Sequence, residues 1–200
     1  MTYPIPSEQG RAEYEIKKSR FIAYASHINT REEGMTWLEE IKVKYPDARH
    51  HCWAYQIGNP TCATNAGMGD DGEPGGTAGK PILNVLQHKG VGDIMIIVVR
   101  YFGGIKLGAG GLTRAYGQAA QAVMEVLQTE QEVPKTTVEV ICDFAQEQPL
   151  RHWLSLVEGE LITVDYQQQV HINAQLPDDE LEGFVATLTA NQCLFRVIDK

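Results

Sequence analysis

Two hundred residues, 43% of them apolar and 22% charged, can form one large globular domain or two modest ones with a sizeable core. The formal net charge of −9 is uneven: 13 Lys+Arg face 15 Asp+Glu through residue 133, and 4 face 11 from residue 134 onward. That balance excludes indiscriminate nucleic-acid binding, which is driven by bulk positive charge, and no apolar run reaches the ~18 residues of a membrane-spanning helix.

Residues 1–10 read as a polar, Pro-containing lead-in without the basic and apolar regions of a secretory signal, so cytoplasm is the expected location. Cys52, Cys62, Cys142 and Cys193 are scattered with no Cys-x-x-Cys pair, which points to free thiols rather than a disulfide framework. Arg11 to Ser19 and Phe21 to Ile28 alternate like strands. Thr30, with Glu33 three residues on, has the pattern of a capping box opening a helix that stops at Tyr45-Pro46.

Ala48 to Ile57 reads as a strand that puts His50 and Cys52 on one face and His51 on the other. One of these histidines could act as acid, base or ligand, or could simply be an inward ring with a hydrogen bond. No second ligand stands at a zinc-like spacing, so no metal site is expected.

Residues 58–76 read as a long polar loop. Within it, Gly67-Met68-Gly69-Asp70-Asp71-Gly72 matches the dinucleotide glycine pattern only formally. No strand is expected just before it, and two aspartates would meet the pyrophosphate. A P-loop fails as well, because Pro74 stands where its first glycine belongs and Pro81 where its Ser or Thr belongs. What remains is a run of three carboxylates, Asp70, Asp71 and Glu73, leading to a helix capped by Thr77 or Gly79 with Pro81 in its first turn. Such carboxylates could hold Mg²⁺, serve as a general base, or form a solvated acidic turn.

Residues 93–128 organise the chain. Ile94 to Val99 is an unbroken apolar run suited to a strand buried on both faces. After Arg100-Tyr101-Phe102 come five glycines in nine positions, residues 103–111, and then a helix with Leu112, Ala115, Tyr116, Ala119, Ala120 and Val123 on one face. A helix start has unpaired N–H groups and partial positive charge, and Arg100, Lys106 and Arg114 add cations. An anion, phosphate above all, is the expected guest; the alternative is a glycine-shaped tight turn. The residues assigned to phosphate or RNA binding are Lys80, Arg100, Lys106, Gly108, Gly110, Gly111, Thr113 and Arg114.

Three blocks resemble the IMPACT family: Ala48 to Tyr55, Asp70 to Leu83, and Val98 to Leu112, with Lys17 to Ala23 fitting as well. The resemblance implies an α+β protein of two domains. The first would be ribosomal-protein-S5-domain-2-like, as in domain IV of elongation factor G, and the second ferredoxin-like, as in domain V. Eukaryotic members regulate translation by interfering with activation of a starvation-sensing kinase through its ribosome-associated partner. Their accessory domain differs, so that partner is not carried over. The resemblance supplies no catalytic residues and no cofactor; it marks Asp71 to Lys80 and Arg100 to Arg114 as a candidate functional face, to which His50, Asp71, Glu73 and Thr77 are assigned.

Val133-Pro134-Lys135 is the expected boundary, giving domains 1–133 and 134–200. Beyond it the order is βαββαβ, the split βαβ plait: strands at 136–144, 161–166, 170–176 and 193–198, with helices at 146–158 and from Asp178 and Asp179 on. Trp153, at helical spacing, is expected in the core.

Two functions fit these features. The first is a non-enzymatic, translation-associated module touching RNA or the ribosome through the Arg100–Arg114 face, with an acidic second domain that docks on protein or stays in solvent. The second is a small-molecule phosphate or nucleotide enzyme with Mg²⁺-binding carboxylates in the 70–80 loop; it requires a cleft between the two loops.

Overall fold

The computed structural model describes residues 2–198. Contacts divide it into two compact units, Tyr3–Glu132 and the stretch from Val133 onward.

The first unit runs β1 (Tyr3–Pro6), β2 (Gly10–Ile16), β3 (Ser19–His27), α1 (Arg31–Lys44), β4 (His50–Ile57), β5 (Asn65–Gly69), α2 (Gly79–Lys89), β6 (Ile94–Tyr101), α3 (Ala109–Val126) and β7 (Thr129–Glu132). Five strands form an antiparallel sheet in the order β2-β3-β6-β4-β5, while β1 pairs with β7 apart from it. The central strand β6 feeds two cores because neighbouring side chains point to opposite faces. Ile94, Ile96 and Val98 join Phe21, Ala54 and the inner sides of α2 and α3. Met95, Ile97 and Val99 join Tyr24, Tyr55 and α1. By the same alternation Arg100 follows Val98 onto the face of α2 and α3, as do Cys52 and His50 along β4.

Local signals explain most boundaries. Thr30 Oγ1 accepts the Glu33 amide at 3.2 Å, opening α1; the Glu33 carboxylate reaches the amide of Asn29 rather than that of Thr30, so the expected box closes one residue early. The β2–β3 hairpin turns at Lys17 and Lys18, both at positive φ, so β2 stops at Ile16 instead of running on to Ser19, and β3 begins at Ser19, two residues before Phe21.

The expected loop over 58–76 contains strand β5, a correction with a steric cause. The rings of Trp53 and Tyr55, stacked 5.8 Å apart, lie across Gly69 and Gly67, where a Cβ would come within 2.6–2.8 Å of the aromatic atoms. The glycines that weaken the strand pattern are what let β5 lie under those rings. The cap of α2 is also corrected. The N-cap is Ala78, and neither Thr77 nor Gly79 caps by side chain: the Thr77 hydroxyl donates back to Pro74 O at 2.6 Å.

The second unit is the βαββαβ plait: β8 (Lys135–Cys142), α4 (Phe144–Leu156), β9 (Glu160–Tyr166), β10 (Val170–Pro177), a 3₁₀ turn (Asp178–Glu180), α5 (Leu181–Ala190) and β11 (Leu194–Ile198). Its antiparallel sheet has the order β11-β8-β10-β9. Val138, Val140, Leu150, Leu154, Phe184 and Leu188 make the core, and Trp153 stacks on Phe184 at 4.9 Å. Burial and the nearby carboxylate of Asp143 raise the Cys193 thiol above its usual range, so it stays protonated at neutral pH.

Candidate functional site

The starts of α2 and α3 are finished differently. At α2 the Asp70 carboxylate does the capping. Oδ1 accepts from the amides of Ala78 (3.0 Å) and Gly79 (2.8 Å), and Oδ2 from Gly76 (2.7 Å). Burial pushes this carboxyl up, but the three amides outweigh it and hold it below the usual carboxylate range.

At α3 the N-cap is Gly108, with φ 73° and ψ 166° and no side-chain cap. That conformation is essentially reserved for glycine, and nothing lies within 4 Å of the missing Cβ. The Leu112 amide is the first to bond back, to Gly108 O at 2.9 Å, so the amides of Ala109, Gly110 and Gly111 open the helix without protein partners among the described residues. Gly108, Ala109 and Gly110 are exposed.

The three loop carboxylates go to three different places. Asp70 caps α2. Asp71 Oδ2 accepts the His51 amide at 2.6 Å. Glu73 is buried (side chain 4% exposed), where its Oε1 binds Arg100 Nη1 and accepts the Tyr116 hydroxyl at 2.8 Å. Among the described residues no three His, Cys, Asp or Glu side chains converge as a metal cluster.

The Arg100–Glu73 pair continues inward. Cys52 Sγ lies 3.3 Å from the Tyr116 hydroxyl and 2.9 Å from Asp70 O. This chain ties β4, β6, α3 and the loop before α2 together. Burial, with the neighbouring carboxylate of Glu73, pushes both the Cys52 thiol and the Tyr116 phenol up, so both stay protonated as hydrogen-bond donors. The Arg100 guanidinium lies 5.6 Å from the Phe21 ring and 5.8 Å from that of Phe102.

A cavity of about 350 Å³ opens over this pair. Arg49 and His50 line it from the start of β4, Glu73 and Pro74 from the loop, Arg100 and Phe102 from the end of β6, and residues 106–109 with Leu112 from the start of α3. His50 is held from behind: its Nδ1 lies 2.8 Å from the Asp71 carbonyl, which can only accept, so Nδ1 carries the proton. Its Nε2 lies 4.0 Å from Glu73 Oε1. His51, on the opposite face as alternation required, is buried and its pKa is lowered by that burial, with Asp71 opposing.

Of the residues assigned from sequence, the structure brings His50, Glu73, Arg100, Lys106 and Gly108 to one cavity. Gly110 and Gly111 lie in the first turn of α3. Arg114 is exposed, its Nη1 3.9 Å from where a Gly110 Cβ would stand. Thr113 is exposed but its hydroxyl donates to Ala109 O. Lys80 sits exposed in the first turn of α2, Thr77 is buried, and Asp71 is bonded to β4. Arg100 faces a carboxylate rather than open solvent, which leaves Lys106 and Arg49 as the cavity's exposed cations. Sequence reasoning missed Arg49, Phe102 and Tyr116 as members of the site. The signal for Tyr116 was its phenol on an otherwise apolar helix face, since a buried tyrosine hydroxyl usually has a partner.

Comparison with known proteins agrees with this architecture. Residues 17–124 match the Impact N-terminal domain and residues 140–191 a domain of unknown function, DUF1949. An IMPACT family member of Haemophilus influenzae is 40% identical over 187 residues, covering 94% of this chain and 91% of that protein. The IMPACT family member YigZ of Escherichia coli is 40% identical over 184 residues, covering 92% and 90%. A crystal structure described as that of a hypothetical protein superposes with a TM-score of 0.76 at 36% identity, over 100% of this chain and 98% of that one. With both units accounted for and the glycine-rich turn inside the matched stretch, this chain belongs to the IMPACT family.

Proposed function

We propose that this protein is a translation-associated regulator that contacts RNA, on the ribosome or free, through the open start of α3. The reading rests on one observation: an 18-residue helix whose first amides no side chain caps, opening beside Lys106 and the rim of a cavity. Helix starts of this kind attract phosphate through their amides and their partial positive charge. Arg49, Lys80 and Arg114 are exposed cations from the same region of sequence signature, and Phe102, half exposed, offers a ring on which a base can stack. Family membership supports the translational role, since the resemblance implies relatives that act on translation. The acidic second unit, with Glu139 and Asp165 beside an open groove on its sheet, suits a basic protein surface.

Ribosome co-sedimentation and filter binding with single-stranded RNA over a salt series test this reading. The expected result is salt-dependent retention, weakened by Lys106→Ala and by Arg114→Ala, each lowering the log–log salt slope by about 1. Retention unaffected by both changes rules out the α3 face.

A second reading has its own observation. The cleft that a phosphate enzyme requires between the two loops exists, with His50 Nε2 and Glu73 Oε1 4.0 Å apart in it. It loses the metal, because Asp70, Asp71 and Glu73 turn to three different partners, the α2 amides, the His51 amide and Arg100, instead of converging.

A further inference from the structure

The cavity floor carries more unused hydrogen-bonding capacity than an RNA-facing surface requires. Arg100 and Glu73 are each more than nine-tenths buried and both line it. Only Glu73 Oε1 is engaged by protein; Oε2 has no hydrogen bond among the described residues. Arg100 binds through Nη1 alone, and its buried Nε is unpartnered. His50, with a proton on Nδ1 held by the Asp71 carbonyl, places Nε2 4.0 Å from Glu73 Oε1, and in the neutral ring that nitrogen is an acceptor. Oε1, the nearer carboxylate oxygen, already accepts from Arg100 and Tyr116, so the unused acceptors here are Glu73 Oε2 and His50 Nε2.

The cavity is therefore chemically two-ended. One end, at Lys106 and the amides of α3, is cationic and donates. The other offers acceptors at Glu73 and His50, with Arg49 and the unpartnered Arg100 Nε beside them. Between them the wall is apolar, from Pro74, Leu107 and Leu112, and Phe102 stands 49% exposed at the edge. Inorganic phosphate satisfies only the first end and leaves the acceptors and the wall uncovered. A dicarboxylate is repelled by Glu73. A molecule with phosphate at one end, hydroxyls within reach of the other and a flat apolar face satisfies all three. A volume of about 350 Å³ lies at the small end of ligand pockets, which suits one such unit.

We propose that this cavity seats a single ribonucleotide, with its phosphate on the α3 amides and Lys106, its ribose hydroxyls donating to Glu73 and His50 Nε2, and its base against Phe102. The inference rests on the phosphate-binding reading of α3 and names its ligand. The nucleotide can be free or an unpaired residue of an RNA strand; the chemistry is the same.

The test titrates the full-length chain with adenosine 5′-monophosphate, its 2′-deoxy analogue and inorganic phosphate by calorimetry, and repeats the titrations on Phe102→Ala and Glu73→Gln. The ribonucleotide is expected to bind at least about tenfold tighter than phosphate, and tighter than the deoxy analogue, because a hydroxyl to a buried carboxylate is lost in each. Phe102→Ala should weaken the nucleotide and leave phosphate unchanged. Glu73→Gln should erase the preference for ribose; should that buried substitution unfold the chain, the exposed Phe102 variant decides alone. Equal affinity for nucleotide and phosphate, no saturable nucleotide binding, or a Phe102→Ala titration identical to wild type overturns the proposal. Competition with a short single-stranded RNA then separates the sources. Displacement by the mononucleotide places an RNA residue in the seat, and simultaneous binding identifies the free nucleotide as occupant. RNA retained through Lys106 and Arg114 without any mononucleotide binding overturns the seat alone and leaves the RNA-facing reading intact.

Discussion

The starts of α2 and α3 are two solutions to one electrostatic problem within the same unit. Both follow a glycine-rich stretch and both begin with unpaired amides. At α2 the chain supplies its own anion, and Asp70 fills the position with three amide contacts. At α3 it supplies none, puts glycine at the N-cap in a conformation that other residues avoid, and surrounds the opening with Lys106 and a cavity. A capped helix start has its amides satisfied by the protein; the uncapped one, beside buried and half-satisfied polar groups, is what the proposed binding rests on.

Glu73, in the loop before α2, is tied to β6 by Arg100 and to α3 by Tyr116, and breaking the Arg100–Glu73 pair should have the largest effect. Arg100→Ala leaves the Glu73 carboxylate buried with only Tyr116 for company, which should cost about 3–5 kcal/mol in urea unfolding. The double change Arg100→Met with Glu73→Leu should restore most of that stability, because a buried ion pair and a well-packed apolar pair are often near equal. A double variant as unstable as the single one would show that the pair holds the loop by geometry that apolar packing cannot replace.

The next effect belongs to α2 alone. Asp70→Asn should cost about 2 kcal/mol at neutral pH, since a charged cap accepting three amides is exchanged for a neutral one. The pH dependence has a fixed sign. A carboxyl held below its unfolded value near pH 4 stabilises the fold above that pH, and the contribution is lost as pH falls through the lower folded value. The gap between wild type and Asp70→Asn should therefore be full at pH 6 and shrink as the pH falls through and below the unfolded carboxylate range. A gap that is constant with pH would mean that the charge of Asp70 is not what caps the helix.

What could be read from the chain divides along the same line. The β6–α3 stretch was legible because each signal is local: an apolar run, then glycines, then 3.6-residue periodicity. The plait of the second unit was legible for the same reason. Strand β5 was not, since Asn65-Ala66-Gly67-Met68-Gly69 has almost no strand character and exists because two rings one strand away need a surface without side chains. Strand β7, polar throughout, is held by pairing with β1 some 125 positions earlier. The candidate face was visible as residue types, but the division of labour within it was not. Nothing in spacing tells that Asp70 turns back to its own helix while Glu73 crosses 27 positions to Arg100, or that Cys52 and Tyr116 complete the chain behind them.

The smallest effect is the sharpest test of the comparison, because stability and binding should move in opposite directions. Gly110 occupies the second position of α3, is exposed, and has no atom nearer than Arg114 Nη1, 3.9 Å from the place of a Cβ. With no steric conflict and a helical backbone, Gly110→Ala should stabilise the protein by about 0.5–1 kcal/mol through reduced freedom of the unfolded chain. If glycine is there for the helix, nothing opposes that gain. If it is there to let a phosphate reach the amides, the added methyl group should weaken RNA or nucleotide binding while the melting temperature rises. The same substitution at a helix start already filled by the protein has no ligand to exclude, so a rise in stability with binding unchanged would place the phosphate elsewhere and make the two starts equivalent.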